Sequence, residues 1–167
     1  MFTPDTFKGK RALVIGAGKS GAACANLLAA KGFDVLLTEA KKEAEVKDRL
    51  RSLSRKVRVE TGGHSKAVFA CGFAVKSPGM ARTNPLILAL KKKKIPVFSE
   101  IETALAFSQG KLLAVTGTNG KTTTTVLLGE IMKAALGPRA AALVCGNVGT
   151  PAAEVAATAR KGDAVVM

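Results

Sequence analysis

Short apolar runs alternate with amphipathic or small-residue segments along most of the chain. Arg11–Gly16 (Arg-Ala-Leu-Val-Ile-Gly) predicts a buried strand, and Ser20–Lys31 a helix of small residues stopped by Gly32. Asp34–Thr38 predicts the next strand. In Lys42–Arg55, Val46, Leu50 and Leu53 lie four and three residues apart, so they fall on one face of a helix. Val57–Thr61 and Phe73–Lys76 predict strands, Pro85–Lys94 a helix, Pro96–Phe98 a strand and Ile101–Phe107 a short helix. After Ser108-Gln109-Gly110 the rhythm restarts. Strands are predicted at Leu112–Val115, Ala140–Val144 and Asp163–Met167, and helices at Lys121–Leu136 and Pro151–Ala159. Strands that alternate with helices imply a parallel sheet covered on both faces, hence an α/β fold.

This rhythm divides the chain at Gly110. Residues 1–109 predict one parallel-sheet α/β domain, and residues 110–167 the start of a second. Asp163–Met167 reads as a buried strand without a turn after it, and some 57 residues are few for an independent α/β layer. The second domain is therefore expected to be incomplete.

Composition narrows the classes. At 47% hydrophobic and 23% charged residues the chain is globular rather than disordered. No run of about 18 apolar residues predicts a membrane span, and Met1–Thr6 lacks the apolar core of a signal peptide, so a cytoplasmic location is expected. Cys24, Cys71 and Cys145 are few, widely spaced and set among small apolar neighbours. They predict buried free thiols rather than a zinc site or a disulfide framework. His64, the single histidine, falls in a glycine-rich turn and is expected to be a loop residue.

The formal charge is +14. Residues 1–60 hold thirteen basic and seven acidic side chains, residues 61–110 seven and two, and residues 111–167 six and three. The charge is spread out apart from Lys91–Lys94, which closes a helix, where cations complement the helix dipole. Aromatic residues make up 4% of the chain, all Phe. That leaves little for stacking on single-stranded nucleic acid, and no recognition motif accompanies the lysines, so no specific nucleic-acid partner is expected. Small phosphate-bearing anions suit the charge better.

Candidate chemistry sits in glycine-rich loops after strands. Gly16-Ala17-Gly18-Lys19-Ser20-Gly21 has the spacing G-x-G-x-x-G between a strand and a helix, which frees helix N-terminal amides for a diphosphate. Glu39 follows Gly21 by 18 residues, where an acid meets a ribose hydroxyl. A tight turn without a ligand is the plainer alternative. A P-loop reading of Gly18-Lys19-Ser20 fails because Leu13 stands where the leading glycine belongs. Thr116-Gly117-Thr118-Asn119-Gly120-Lys121-Thr122-Thr123 is the stronger signal. Its amides can surround phosphates, Lys121 supplies a cation, and the Thr122 hydroxyl suits Mg²⁺. It is a variant P-loop, since Val115 replaces the first glycine. Ser77-Pro78-Gly79-Met80 and Gly146-Asn147-Val148-Gly149-Thr150-Pro151 are turn signals that follow strands.

In this order the loops, with Asn84-Pro85 and Ser99-Glu100-Ile101-Glu102, resemble those of the Mur ligases, across essentially the whole chain. Within that family they are most similar to the member that adds D-glutamate to UDP-N-acetylmuramoyl-L-alanine in peptidoglycan synthesis. The resemblance implies an ATP- and Mg²⁺-dependent ligase, which forms an amide through an acyl phosphate. It also implies three domains: a Rossmann-like UDP-binding domain at 1–109, a central P-loop ATP-binding domain that starts at 110–167, and a C-terminal domain for the incoming amino acid. It implies that Gly18, Lys19, Ser20 and Gly21 hold the UDP diphosphate, and that Glu39, Ala40, Lys41, Ser77, Pro78 and Gly79 border the uridine. Asn147 would contact the substrate near its reacting end. Thr116–Thr123 would hold ATP, with Lys121 stabilising the transferred phosphoryl group and Thr122 reaching the metal. The family's acidic Mg²⁺ ligand, metal-site histidine and C-terminal domain would lie beyond Met167, so residues 1–167 alone are expected to be inactive. The alternatives are another Mur ligase or folylpolyglutamate synthetase-like ligase, and an NAD-binding Rossmann oxidoreductase, which leaves Thr116–Thr122 unexplained.

Overall fold

The structure is a computed structural model and describes residues 1–146 and 149–167. Strand β1 (Arg11–Ile15) is buried at four of its five positions, and β2 (Asp34–Glu39) at the central four of six. Such continuous apolar runs mark interior strands of a parallel sheet. The sheet runs β3 (Val57–Thr61), β2, β1, β4 (Phe73–Lys76), β5 (Val97–Ser99), with every pair parallel. The chain winds outward from β1 through β2 to β3, then crosses to β4 on the other side of β1. The carboxyl ends of β1 and β4 thus flank a reversal of strand order, the place where open α/β sheets bind ligands.

Helix α1 (Lys19–Ala30) buries Gly21, Ala22, Ala23, Cys24 and Ala25. Small side chains there let the helix lie close to the sheet. Helix α2 is shorter than its periodicity predicts, Glu43–Leu50 rather than 42–55. Asn26 of α1 explains the difference: its Nδ2 donates to Ser52 O at 2.8 Å and its Oδ1 accepts from Ser54 N at 2.8 Å. These bonds take the backbone beyond Leu50 away from the helix, so Leu53 lies outside it. Helix α3 (Pro85–Lys92) starts at Asn84, whose Oδ1 accepts from Leu86 N. Helix α4 (Glu100–Leu105) starts one residue before its predicted start, with Ser99 as its cap.

One core cluster joins Leu13, Ile15 and Leu36 to Leu86, Ile87 and Leu90 of α3. A second is aromatic. Phe2, two residues before a 3₁₀ turn at Pro4–Phe7, and Phe7 at its end pack against Phe73 and Phe98 with ring centroids 4.8–5.6 Å apart. The phenylalanines thus serve the core, an assignment that periodicity missed in the N-terminal segment. Cys24 and Cys145 are buried, but Cys71 is only half-buried. Burial pushes the Cys71 thiol up to about 11 and raises that of Cys24 further, so neither is an activated nucleophile.

The chain divides into two units, Met1–Ala106 and Phe107–Met167. In the second, β6 (Lys111–Leu113), β8 (Ala164–Val166) and β7 (Ala142–Val144) form a parallel sheet in the order β6-β8-β7. Helix α5 (Lys121–Leu136) buries Thr125 and Gly129 and exposes Val126, Leu127 and Ile131. Helix α6 (Ala152–Thr158) buries four of its seven residues. No helix among the described residues is long and apolar enough to cross a membrane.

Candidate functional site

Three sequence-predicted positions converge where the strand order reverses. Gly16 leaves β1 with φ +97°, a region that favours glycine, and its N–H donates to Thr38 O at 2.8 Å. A side chain on Gly16 would meet Ser77 Oγ at 2.9 Å, which places Ser77 directly against the loop. Ser77 is held there by its own bond, Oγ to Ile15 O at 2.9 Å. Gly21 is required for a different reason, since a Cβ there would stand 1.9 Å from Gly16 O. Around Gly18, by contrast, a Cβ meets nothing within 4 Å, so space is open at the N-terminus of α1. Lys19 is exposed and Ser20 half-buried beside that opening.

Glu39 closes the other side of the loop. Its Oε2 accepts from Ala17 N at 2.7 Å and its Oε1 from Lys41 N at 3.1 Å. Partial burial raises the carboxyl pKa, but the backbone donors of Ala17, Lys41 and Ala40 outweigh it and hold Glu39 below the usual carboxylate range. The acid predicted to face a ribose therefore also braces the glycine loop. Ala40 and Lys41 are exposed at the same rim. Across from them Ser77–Met80 forms a turn, Met80 N to Ser77 O at 3.1 Å, with Pro78 and Gly79 exposed.

His64 belongs to this rim as well, which its position in a turn did not reveal. The backbone of its loop is tied to β2's end, Gly62 N to Lys41 O at 2.7 Å and Gly63 N to Glu39 O at 3.3 Å. Its Nδ1 lies 2.7 Å from the buried Thr38 hydroxyl, which also lies 2.6 Å from Glu60 Oε1. Burial works against the Glu60 charge, but bonds from Thr38 and Ser65 and the nearby His64 keep its pKa low, so Glu60 accepts. The single Thr38 proton goes to Glu60, and His64 must then donate from Nδ1 to Thr38. In the neutral ring that leaves Nε2 as a bare acceptor. Periodicity could not find this network, because its four members are joined through the β2–β3 register.

The second loop is built locally. Gly120 precedes α5 with φ +75°, and Thr124 N donates to Gly120 O at 2.9 Å as the helix begins. Lys121 folds back so that its ammonium donates to Gly117 O and to Thr118 O, the latter at 2.9 Å. Thr116–Thr123 is exposed throughout. An exposed run of amides at a helix N-terminus, with a lysine ammonium over the loop, fits a polyphosphate. The Thr122 hydroxyl, in the first turn of α5, is the one side-chain oxygen the prediction assigned to a metal. Among the described residues no group of three or more His, Cys, Asp or Glu side chains could hold an ion by itself. Asn147 lies outside the described residues; beside it, Gly146 N donates to Thr150 O at 3.0 Å.

The family described as Mur ligase MurD-like, N-terminal domain, matches residues 10–99. The chain belongs to the Mur ligase family. The matched residues contain the first glycine loop, Glu39–Lys41, His64 and Ser77–Gly79. Among curated relatives, UDP-N-acetylmuramoylalanine--D-glutamate ligase of Elusimicrobium minutum is 46% identical over the whole chain, which spans 37% of that protein. The same-named ligase of Streptococcus pneumoniae (strain CGSP14) is 40% identical over 98% of the chain and 36% of its own length. The chain thus spans little more than a third of the curated relatives it matches. Among solved structures, a pseudomurein peptide ligase type C from Methanothermus fervidus aligns over 95% of this chain and 32% of its own, with TM-score 0.51 and 28% identity. Mur ligase membership accounts for a Rossmann-like unit followed by a second α/β unit in one chain.

Proposed function

We propose that this chain is the nucleotide-handling N-terminal part of an ATP-dependent ligase that joins D-glutamate to UDP-N-acetylmuramoyl-L-alanine. The observation that carries the reading is a pair of phosphate-type loops, one in each unit. The first is braced at the strand-order reversal, and the second holds its lysine over an exposed strand-to-helix turn. The names of the relatives at 46% and 40% identity support the choice of substrate.

In this reading the UDP diphosphate lies against Gly18–Gly21, where the open space at Gly18 and the free amides of α1 receive it. Lys19 and Ser20 add a cation and a hydroxyl. Glu39–Lys41 and Ser77–Gly79 border the uridine; Asn147, outside the described residues, is assigned to the substrate by the family resemblance alone. Thr116–Thr123 holds ATP, and Thr122 would hold a Mg²⁺ ion, which would supply neutralisation of phosphate charge. A carboxylate oxygen of the substrate attacks the γ-phosphorus of ATP, and ADP leaves. The amine nitrogen of D-glutamate then attacks the acyl carbon, the acyl C–O bond to phosphate breaks, and inorganic phosphate and the amine's proton leave. Lys121 stabilises charge on the transferred phosphoryl group, for which it must first release the Thr118 and Gly117 carbonyls. Binding and orientation supply most of the rate in such a transfer.

Thermal denaturation of residues 1–167 tests the reading. UDP-N-acetylmuramoyl-L-alanine should raise the melting temperature of the wild type but not of Lys19→Ala, and ATP with Mg²⁺ that of the wild type but not of Lys121→Ala. NADH should leave it unchanged. A response to NADH without one to the UDP-sugar would overturn the assignment in favour of a dinucleotide oxidoreductase. Residues 1–167 given both substrates and ATP should release no phosphate above background.

A further inference from the structure

At the carboxyl ends of β4 and β5 lies a cavity of about 320 Å³, within the size range of small-ligand sites. Lys76, the last residue of β4, lines it together with Arg82 and with Lys91 of α3. Phe98 and Ser99 of β5 contribute one apolar and one polar surface.

The charges are unequal. One carboxylate, Glu102, faces three cations, and it is already engaged. Its Oε1 accepts from Phe2 N at 2.9 Å and lies 3.5 Å from the terminal ammonium of Met1. Lys76 Nζ donates to Met80 O at 3.0 Å, a neutral acceptor that leaves its charge uncompensated. Among the described residues neither Arg82 nor Lys91 takes part in a salt bridge. The Ser99 hydroxyl oxygen accepts from Glu102 N at 3.1 Å as the cap of α4, and its own proton remains to be donated. A concave space lined by charges of one sign concentrates the opposite ion, and a guanidinium beside ammonium groups is the donor set that phosphate oxygens select.

We propose that this cavity binds a small phosphate-bearing anion through Lys76, Arg82, Lys91 and the Ser99 hydroxyl. The inference does not rest on the ligase reading. It also gives Lys91, the first member of the Lys91–Lys94 run, a task beyond closing a helix. The phosphate can come from a separate small anion or from the diphosphate of a nucleotide, and the two sources are separable.

The test is an amide NMR titration of residues 1–167 with inorganic diphosphate, at ionic strength held constant with chloride. Saturable shifts should centre on Lys76, Arg82, Lys91 and Ser99. The Arg82→Ala/Lys91→Ala variant should bind at least tenfold more weakly, and its undisturbed spectrum elsewhere would show that it folds. The variant Lys92→Ala/Lys161→Ala, with the same loss of charge, should bind as the wild type does. A parallel titration with UDP distinguishes the sources. UDP shifts centred on these amides rather than on Gly18–Gly21 would assign a nucleotide's diphosphate to the cavity and displace it from the first glycine loop. UDP shifts at Gly18–Gly21 with inorganic diphosphate shifts at these amides assign a separate anion. Shifts that do not saturate and spread over every basic segment would overturn the proposal, as would equal weakening in both double variants.

Discussion

The two glycine loops share a sequence logic and differ in what holds them. The first is shaped by its surroundings: Thr38 and Glu39 of β2 accept its amides, and Ser77 beyond β4 blocks any side chain on Gly16. The second is shaped by itself, through the positive φ of Gly120 and the ammonium of Lys121 on its own loop carbonyls. A loop braced by neighbouring strands takes its shape from contacts outside itself. A loop held by its own lysine takes it from contacts within, and under the proposed function that lysine would exchange its loop carbonyls for phosphate. The same kind of motif is therefore externally braced in one unit and self-bonded in the other.

Substitutions can break this contrast. The largest effect is expected from Gly21→Ala, which sets a methyl group 1.9 Å from a backbone oxygen. A loss of about 3 kcal/mol is expected by chemical denaturation, in the upper range for overpacking. A loss below about 1 kcal/mol would mean that the first loop yields more easily than its bracing implies. Gly120→Ala meets no atom within 4 Å, so only its left-handed backbone opposes the change. About 1–2 kcal/mol is expected, confined to unit 107–167 by hydrogen exchange.

Glu39→Gln should cost about 1 kcal/mol, reduced by partial exposure, because the amide keeps one acceptor oxygen where the carboxylate offers Oε2 to Ala17 N and Oε1 to Lys41 N. Its pH dependence is a sharper readout. Glu39 is more acidic folded than unfolded, so its contribution is complete above the unfolded carboxylate range, about pH 4, and is lost as pH falls through the lower folded value. Asp34, held low chiefly by Arg11, and Asp163, held low by the amides of Ala141 and Arg160, act in the same direction. Acid unfolding of Glu39→Gln should accordingly be shallower than that of the wild type. Lys121→Met should change stability by less than about 0.5 kcal/mol, since its partners are exposed carbonyls that water can satisfy. A larger loss than for Glu39→Gln would reverse the contrast between the loops. The smallest effect is spectroscopic: nitrogen NMR of the neutral His64 ring should place the proton on Nδ1, and a proton on Nε2 would contradict the Thr38–Glu60 hydrogen-bond order.

Most strands and helices were legible as alternating apolar runs and small-residue or amphipathic segments, because parallel interior strands are apolar on both faces. The exceptions have tertiary causes. Helix α2 stops at Leu50 because Asn26, 26 residues before Ser52, bonds the backbone beyond it. Phe2 and Phe7 carry no periodic signal, yet they fill the core beside Phe73. At the candidate site, Gly16–Gly21, Glu39 and Ser77 were each identifiable by motif and position. His64 was not, since a lone histidine in a turn has no partner within its own segment.

By itself, then, the sequence determined the α/β class, the two glycine loops and the family, because strand periodicity and loop glycines are local requirements. Tertiary structure decided which of those residues meet. The order β3-β2-β1-β4-β5 brings Ser77 against Gly16, Glu39 against Ala17 and His64 against Thr38. It also gathers Lys76, Arg82 and Lys91 around one cavity. Such meetings depend on strand order and register, which hydrogen bonds between distant segments set and no local pattern encodes.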